Sequence, residues 1–588
     1  MTFKTLDGQD IEIAYSKNNP LDTPESAVEP FHVRSVVLEP GYVHEPGRKP
    51  LTSSLIWDQD VSVLLRDGIV IYADVYRPVG DAPAPTVLVW TPYGKQGGWW
   101  KANVPLERIG IPHGSLSGLQ NFESPDPAWW VARGYAVVMV DVRGSMHSGG
   151  DLLWWGESAA NDVYDAVEWA AAQPWSNGRV GMSGNSQLSI MQWFGASAQP
   201  PHLAALAPWE GLIDMYRDNM AQGGIPTPEF QRDEVALRNY GLNRTENPAT
   251  MIERYPLMNA YWADKRVKLE RITLPVYAVA SFSNTLHSRG TLTAFNGIAS
   301  EHKWLRIHNT MEWPDLYQED NVEDLCRFFD RYLKGEENGW EQTPRVRMSV
   351  LDPGGKDTVA RPEEQWPPSA MQPQTFYLDG LHKTLAAMPT EKAIASYVID
   401  SETDEVVFKM PIVQSMEIAG PIKLTLWVEA QGSEDMDLFA HVYKVDANGT
   451  KQVHITVPGE ARQGIEQLIK AGKTPALLAF SGPQGRLRVS HRELDVTLSS
   501  HLEPVHSHLR EQLLKPGDVV QVEIGIWPVA MKLHPGETLC VAVAGRPFDT
   551  FALPGMPSTQ GTKTRNKGHH LIHTGGDRAS HLVLPLMP

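Results

Sequence analysis

Residues Gly181–Trp193 read GMSGNSQLSIMQW. The fold turns on this stretch. An apolar run, GRVGM (178–182), leads in. A turn of small residues carries Ser186, and LSIMQWFGASA (188–198) leads out at helical spacing. A strand, a tight turn and a helix, with serine on the turn, lift a hydroxyl clear of the backbone. The usual signature is G-x-S-x-G. Here it reads Gly184-Asn185-Ser186-Gln187-Leu188-Ser189, with the downstream small residue one place late. An ordinary turn serine fits G-x-S equally well, so the neighbouring segments have to decide.

They alternate strand with helix. TVLVWTPYG (86–94) is a nearly continuous apolar run, as for a strand buried on both faces. AWWVARGYAVVMVDVRG (128–144) reads as a helix, a glycine stop and a second buried strand ending at Asp141. In NDVYDAVEWAAAQPW (161–175), Val163, Ala166, Val167 and Ala170 fall on one helical face, and Pro174 ends it. LAALAPWEG (203–211), LPVYAVASFS (274–283) and HKWLRIHNT (302–310) supply further strands. NVEDLCRFFDRYLKG (321–335) is an amphipathic helix closed by glycine. VSVLLRDGIVIYADVYRP (61–78) is a hairpin about Asp67-Gly68. This order implies a mostly parallel sheet with helices on both faces over 56–340. Residues 215–270 are polar, aromatic and helical in pattern, an inserted helical cap. Residues 1–55 are Pro-rich, an N-terminal arm. From 341 to 588 short alternating runs such as IKLTLWV (422–428) and VVQVEIGIWP (519–528) suggest an all-β sandwich or jelly roll.

Composition bounds the function. The chain has 588 residues, enough for two or three cores, and a formal charge of −18, which disfavours nucleic acid or an anionic membrane as partner. Two cysteines, Cys326 and Cys540, exclude a disulfide framework. The start, MTFKTLDGQDIEIAYSKNN, has no apolar leader, and no window is apolar enough to span a bilayer, so a cytoplasmic setting is expected. A homo-oligomer is left open. There are 19 Trp, with pairs at Trp99-Trp100, Trp129-Trp130 and Trp154-Trp155. They serve either the core or an aromatic pocket.

The chemistry asks for partners to Ser186. The backbone N–H of Gln187, opening the helix, would face a developing oxyanion. Tyr93, just past its strand at the sheet edge, offers a phenol as second donor. At this point the chain resembles the CocE/NonD-type serine hydrolases, which include cocaine esterase, α-amino acid ester hydrolases and Xaa-Pro dipeptidyl-peptidases. The resemblance rests on LLRDGIVIYADVYRP, TPYGK, DVRGSMHSGG, DAVEWAAAQPWSNGRVGMSGNSQ, KWLRIH, RFFDRYLKG, GRLRVSHRELD and WPVAMKLHPGETL. It implies an α/β-hydrolase domain with a cap, a C-terminal jelly roll, Ser186 as nucleophile, and Tyr93 with the Gln187 amide as oxyanion hole.

The chain departs from that pattern where the triad should close. The family's GWYD stretch is ASFSNTLHSRG here, with Asn284 near the acid's place and no carboxylate in 281–296. The family's GPWxH is RIHNTMEWPDLY here, where His308 comes early and Glu312 holds the expected spot. His308 is the expected base, with His287 as its rival. Glu210 is the favoured acid. Asp214, Asp315 and Glu312 are alternatives, and Asn284 is a neutral orienting group. Asp141 with His147 is too sparse for a metal, and no glycine-rich stretch matches a phosphate-binding loop, so neither metal nor cofactor is expected. KTRNKGHHLIHTGG (563–576) reads as a solvated tail or a lid edge. The expected activity is acyl-enzyme cleavage of a small ester or amide bearing a hydrophobic or aromatic group. Xaa-Pro dipeptidyl-peptidase action is the alternative. A hydrolase fold reduced to a binding module is the reading of another class.

Overall fold

In a computed structural model the described residues are 3–104, 106–235, 238–399, 404–471, 478–548 and 564–588. The main sheet uses β1 (Arg34–Leu38), β2 (Leu55–Leu64), β3 (Val70–Pro78), β4 (Ala84–Thr91), β5 (Ala136–Asp141), β6 (Ser176–Asn185), β7 (Leu203–Trp209), β8 (Val276–Ser281), β9 (Lys303–His308), β10 (Val346–Val350) and β11 (Thr358–Glu363). Their order across the sheet is β11-β10-β9-β8-β7-β6-β4-β5-β3-β2-β1. From β5 through β10 neighbouring strands are parallel, and both edges are antiparallel. Every residue of β4, β5 and β8 is buried, which is why these segments carry unbroken apolar runs.

Helices α1 (Gly156–Ala171) and α2 (Gln187–Ser197) cover one face, and α5 (Glu319–Phe329) covers the other. Two shorter helices, α3 (Ser288–Gly297) and α4 (Glu312–Tyr317), follow β8 and β9. The compositional change at 340 falls inside this sheet, because β10 and β11 extend it before the chain leaves. The region expected as a helical cap is a succession of short helical turns, among them Met215–Met220, Pro248–Arg254 and Ala260–Asp264. It also contains a strand, Arg244–Glu246, paired with Tyr15–Lys17 of the N-terminal arm. The rest of the arm is not separate from the body, since β1 is the sheet's edge strand.

The C-terminal half is β-rich. Its long strands Met416–Gln431 and Val520–Leu533 pair antiparallel, and Leu424, Leu426, Ile524 and Ile526 are sealed in its core. The histidine-rich run is not a solvated tail. His569–Thr574 is a strand between Ala393–Val398 and Met416–Gln431, and only His569 of its residues is exposed. No helix among the described residues is long and apolar enough to cross a membrane.

Candidate active site

Ser186 sits at φ 53°, ψ −119°, between the end of β6 and the start of α2. A non-glycine residue in that region is strained, and here the strain aims the hydroxyl out of the sheet edge. The turn is held on both sides. The Ser186 N–H donates to the Glu210 carbonyl at 2.9 Å, and the Asn185 N–H to the Glu123 carbonyl at 3.1 Å. Gly184 is obligatory. Its φ is 134°, and a Cβ there would lie 2.8 Å from Leu188 Cβ. Leu188, where the signature has glycine, packs into that space instead.

The imidazole at Ser186 is that of His287, with Nε2 3.1 Å from Ser186 Oγ. His308, the expected base, is elsewhere. Its Nε2 meets Glu210 Oε1 at 2.8 Å, and its Nδ1 faces Thr310 Oγ1 at 3.2 Å and Asp315 Oδ1 at 3.5 Å. The expected pairing of His308 with Glu210 therefore exists, but that ring has no nitrogen left for serine. Asp315 is fully engaged by Arg306, whose guanidinium outweighs burial and holds its carboxyl low. Asp214 caps a helical turn and pairs with Arg217. Neither approaches His287.

No carboxylate meets the second ring nitrogen of His287 among the described residues. His287 Nδ1 is buried and has no hydrogen-bond partner among the described residues. Asn284 does not orient the ring directly. Its Oδ1 accepts the backbone N–H of Leu286 at 3.0 Å and of His287 at 3.1 Å, shaping the loop into α3. Burial alone pushes His287 down to about 3, so the ring is neutral across the working range. Glu312 Oε2 lies 3.8 Å from His287 Nε2. Burial and the nearby carboxyls of Glu123 and Glu210 push Glu312 well up.

Tyr93 follows β4 and lines the same pocket as Ser186 and Glu123. Gln187 opens α2, where an N–H has no partner within the helix. Its side chain is tied off, as Oε1 accepts Trp155 Nε1 at 2.8 Å. Glu123, unremarked in the sequence reading, is the residue that was missed. Its Oε1 accepts Trp313 Nε1 at 3.0 Å, and its carboxyl contacts Tyr93 and Ser186. Lying in NFESPDP with no motif around it, it gave no signal.

The pocket in front of Ser186 encloses about 620 Å³ including its mouth. Trp100, Phe122, Trp154, Trp155 and Trp313 line it, with Leu286 and Leu212. Two of the three tryptophan pairs therefore contribute to the wall. The third, Trp129-Trp130, belongs to the core on the opposite face, where Arg133 stacks on Trp129 at 3.5 Å. Asp141 joins Asp60 and Asp74 around buried Lys95.

A serine on a strand–helix turn at the carboxyl edge of a parallel sheet, touching an imidazole and facing an aromatic pocket, is the arrangement of an α/β-hydrolase-type serine enzyme. Comparison narrows the class. Residues 67–246 match the model of the X-Pro dipeptidyl-peptidase S15 family, and residues 338–583 that of the X-Pro dipeptidyl-peptidase C-terminal non-catalytic domain. A crystal structure of a CocE/NonD family hydrolase from Staphylococcus aureus is 33% identical, with TM-score 0.83, over 97% of this chain and 100% of that one. Cocaine esterase from Rhodococcus sp. is 33% identical over 207 residues, which is 34% of this chain and 33% of that protein. An α-amino acid ester hydrolase, 16% identical at TM-score 0.64 over 93% of this chain and 98% of that one, shares the fold. The chain belongs to the CocE/NonD family of hydrolases.

Proposed function

We propose that this hydrolase cleaves a carboxylic ester with a hydrophobic or aromatic group, through an acyl-enzyme on Ser186. The observation that carries the reading is the 3.1 Å contact of His287 Nε2 with Ser186 Oγ, facing an aromatic pocket. Ser186 Oγ bonds to the carbonyl carbon while its proton passes to His287 Nε2. The carbonyl π pair moves onto oxygen, where Tyr93 O–H and Gln187 N–H receive it. Collapse expels the alcohol, which takes the proton from His287. Water then repeats the sequence on the acyl-enzyme and regenerates the serine.

The base works as a dyad. A neutral ring accepts the serine proton without a partner at Nδ1, but the imidazolium so formed is less stabilised than with a carboxylate behind it. Esters, with their better leaving groups, suit such a site more than amides do. The aromatic walls favour an aryl or other flat apolar acyl or alkoxy group. The resemblance to Xaa-Pro dipeptidyl-peptidases supports the peptidase reading. That reading needs an ionised acid to grip a substrate ammonium, and the pocket's carboxyls, Glu123 and Glu312, are both pushed toward the neutral form. The acidic charge of −18 supports a small neutral substrate over nucleic acid or an anionic membrane. The two buried, unpaired cysteines fit a reducing cytoplasmic setting. We read the C-terminal β unit as a jelly roll that walls the pocket.

Fluorophosphonate labelling tests the nucleophile. The wild type labels at Ser186, and Ser186→Ala does not. An unlabelled wild type favours the binding module. Parallel assays with p-nitrophenyl esters and Xaa-Pro anilides decide between esterase and peptidase. Turnover of the anilides alone would refute the esterase reading.

A further inference from the structure

A second cavity lies between the two halves of the chain. It encloses about 1250 Å³ including its mouth. The strands Gln484–Arg488 and Val520–Leu533 and the loop 502–508 of the C-terminal half form much of its wall. Two elements of the N-terminal half close it, and both also serve the pocket at Ser186. Phe282 and Thr285 of the loop from β8 to α3 line this cavity, whereas Leu286 and His287 of the same loop line the other. In the turn Met215–Met220, Arg217 lines this cavity and Asn219 the other. The two cavities share no lining residue among the described residues.

The charges on this wall do not balance. Three arginines reach it. Arg217 pairs with Asp214 at 2.9 Å, and Arg289 pairs with Asp218. Arg486, on the strand Gln484–Arg488, has no such partner among the described residues. Its guanidinium lies 5.5 Å from the centre of the Phe439 ring on the neighbouring strand. Burial pulls Arg486 down to about 10, with no nearby charge opposing it, so it stays a cation at neutral pH. It is part-buried, not sealed, and lines the cavity. Glu503 is the one carboxyl on the wall among the described residues. It answers to Arg289, and burial pushes it up toward its neutral form. His506 and His508 also line the cavity, and burial pulls both rings down, so they add no charge at neutral pH.

A cation held in a cavity without a counter-charge is costly, and protein interiors pair such groups. Here the described residues supply no partner, which leaves the place to a ligand. The rest of the wall says what kind. Phe282, Phe480, Leu502, Ile526 and Trp527 give it broad apolar surface. A guanidinium grips a planar carboxylate through two parallel N–H donors. A monoanion answers the one unpaired charge, whereas a phosphate dianion would leave negative charge in excess beside Glu503. We propose that this cavity is a second ligand site, for an apolar or aromatic carboxylate, with the carboxylate on Arg486 and the body against Phe480 and Trp527. Binding there is non-covalent and does not depend on Ser186 being the nucleophile.

The test is calorimetric titration of the full chain with 2-naphthoate and with 2-naphthamide, its uncharged isostere, at neutral pH. The acid is expected to bind at least about ten-fold more tightly than the amide, the least a charge-assisted pair should give. That comparison needs no variant, so it stands whatever a substitution does to the fold. Arg486→Gln is expected to weaken the acid by at least about ten-fold and leave the amide unchanged. It should melt no lower than the wild type, because it removes an unanswered charge. Arg486→Lys, which keeps the charge and loses the fork, should fall between the two. Trp154→Ala, in the wall of the pocket at Ser186, is expected to leave binding unchanged. Equal affinity for acid and amide overturns the proposal. So does full affinity in Arg486→Gln, or a loss confined to Trp154→Ala, which would place the acid at Ser186 instead. No saturation by the acid up to about 10 mM also overturns it, being weaker than any site worth the name.

Discussion

At the scale of single residues, two histidines compete for one serine, and the ring nitrogens decide. His308 has both nitrogens spent on Glu210, Thr310 and Asp315, whereas His287 has one on Ser186 and one on nothing. His287→Ala is therefore expected to lower kcat/KM by at least about 10³-fold and to abolish fluorophosphonate labelling. His308→Gln is expected to keep labelling and most of the rate while lowering stability, because it breaks a buried pair with Glu210. Active-site titration with a thermal melt on the same samples separates the two outcomes. The acid side of the pH profile gives an independent check. A base lowered to about 3 stays neutral as pH falls through 6.5, so kcat/KM should be flat from pH 7 to 5 rather than halving near 6.5. A bend near 6.5 in the wild type would assign the proton transfer to a different, exposed group.

At the scale of elements, the loop from β8 to α3 is what brings His287 to the serine. Asn284 stands where an acid was expected and does a different job. Its side chain accepts two backbone N–H groups of the turn that ends in His287. Asn284→Ala should cost about 1 kcal/mol of local turn stability and lower kcat several-fold with little change in KM. Asn284→Asp, which keeps the acceptor, should restore most of kcat. Equal losses in both variants would show that the amide acts otherwise. This loop also marks how far the sequence could be read. Strands β4, β5 and β8 were legible because each is a nearly unbroken apolar run. The strand–turn–helix around Ser186 was legible because a short motif sits directly on a strand end. His287 lies six residues past β8, and its direction depends on a side-chain-to-backbone turn that has no apolar period. The residues between the two family-model matches, 247–337, hold Asn284, His287, His308 and Glu312. The cap was legible only as helical in tendency, because its turns are short and set by packing rather than by periodicity.

At the scale of the whole molecule, the aromatic pocket wall is backed by the C-terminal half of the chain. Trp100, Phe122 and Trp313 pack in one cluster with Ile455, Val457, Ile465 and Leu478 of the C-terminal half. Two polar ties hold the same seam. The Met311 N–H donates to the Thr456 carbonyl at 2.6 Å, and His454 Nε2 meets the Asn309 carbonyl at 2.7 Å. Both clamp the segment that enters α4, which carries Glu312 and Trp313. Trp313 in turn holds Glu123, so packing in the β-rich half reaches the serine through named contacts. Ile465 presents the buried face of the helix Gly459–Lys470 to this cluster. Ile465→Ala should open a cavity under the wall, cost about 2–5 kcal/mol and lower the melting temperature. It should also raise KM for an aryl ester several-fold while an acetyl ester, too small to reach the wall, is little changed. Ile465→Leu, which conserves volume, should restore both properties. If aryl and acetyl esters lose equally in Ile465→Ala, the β-rich half supports the fold as a whole and takes no part in selecting the substrate.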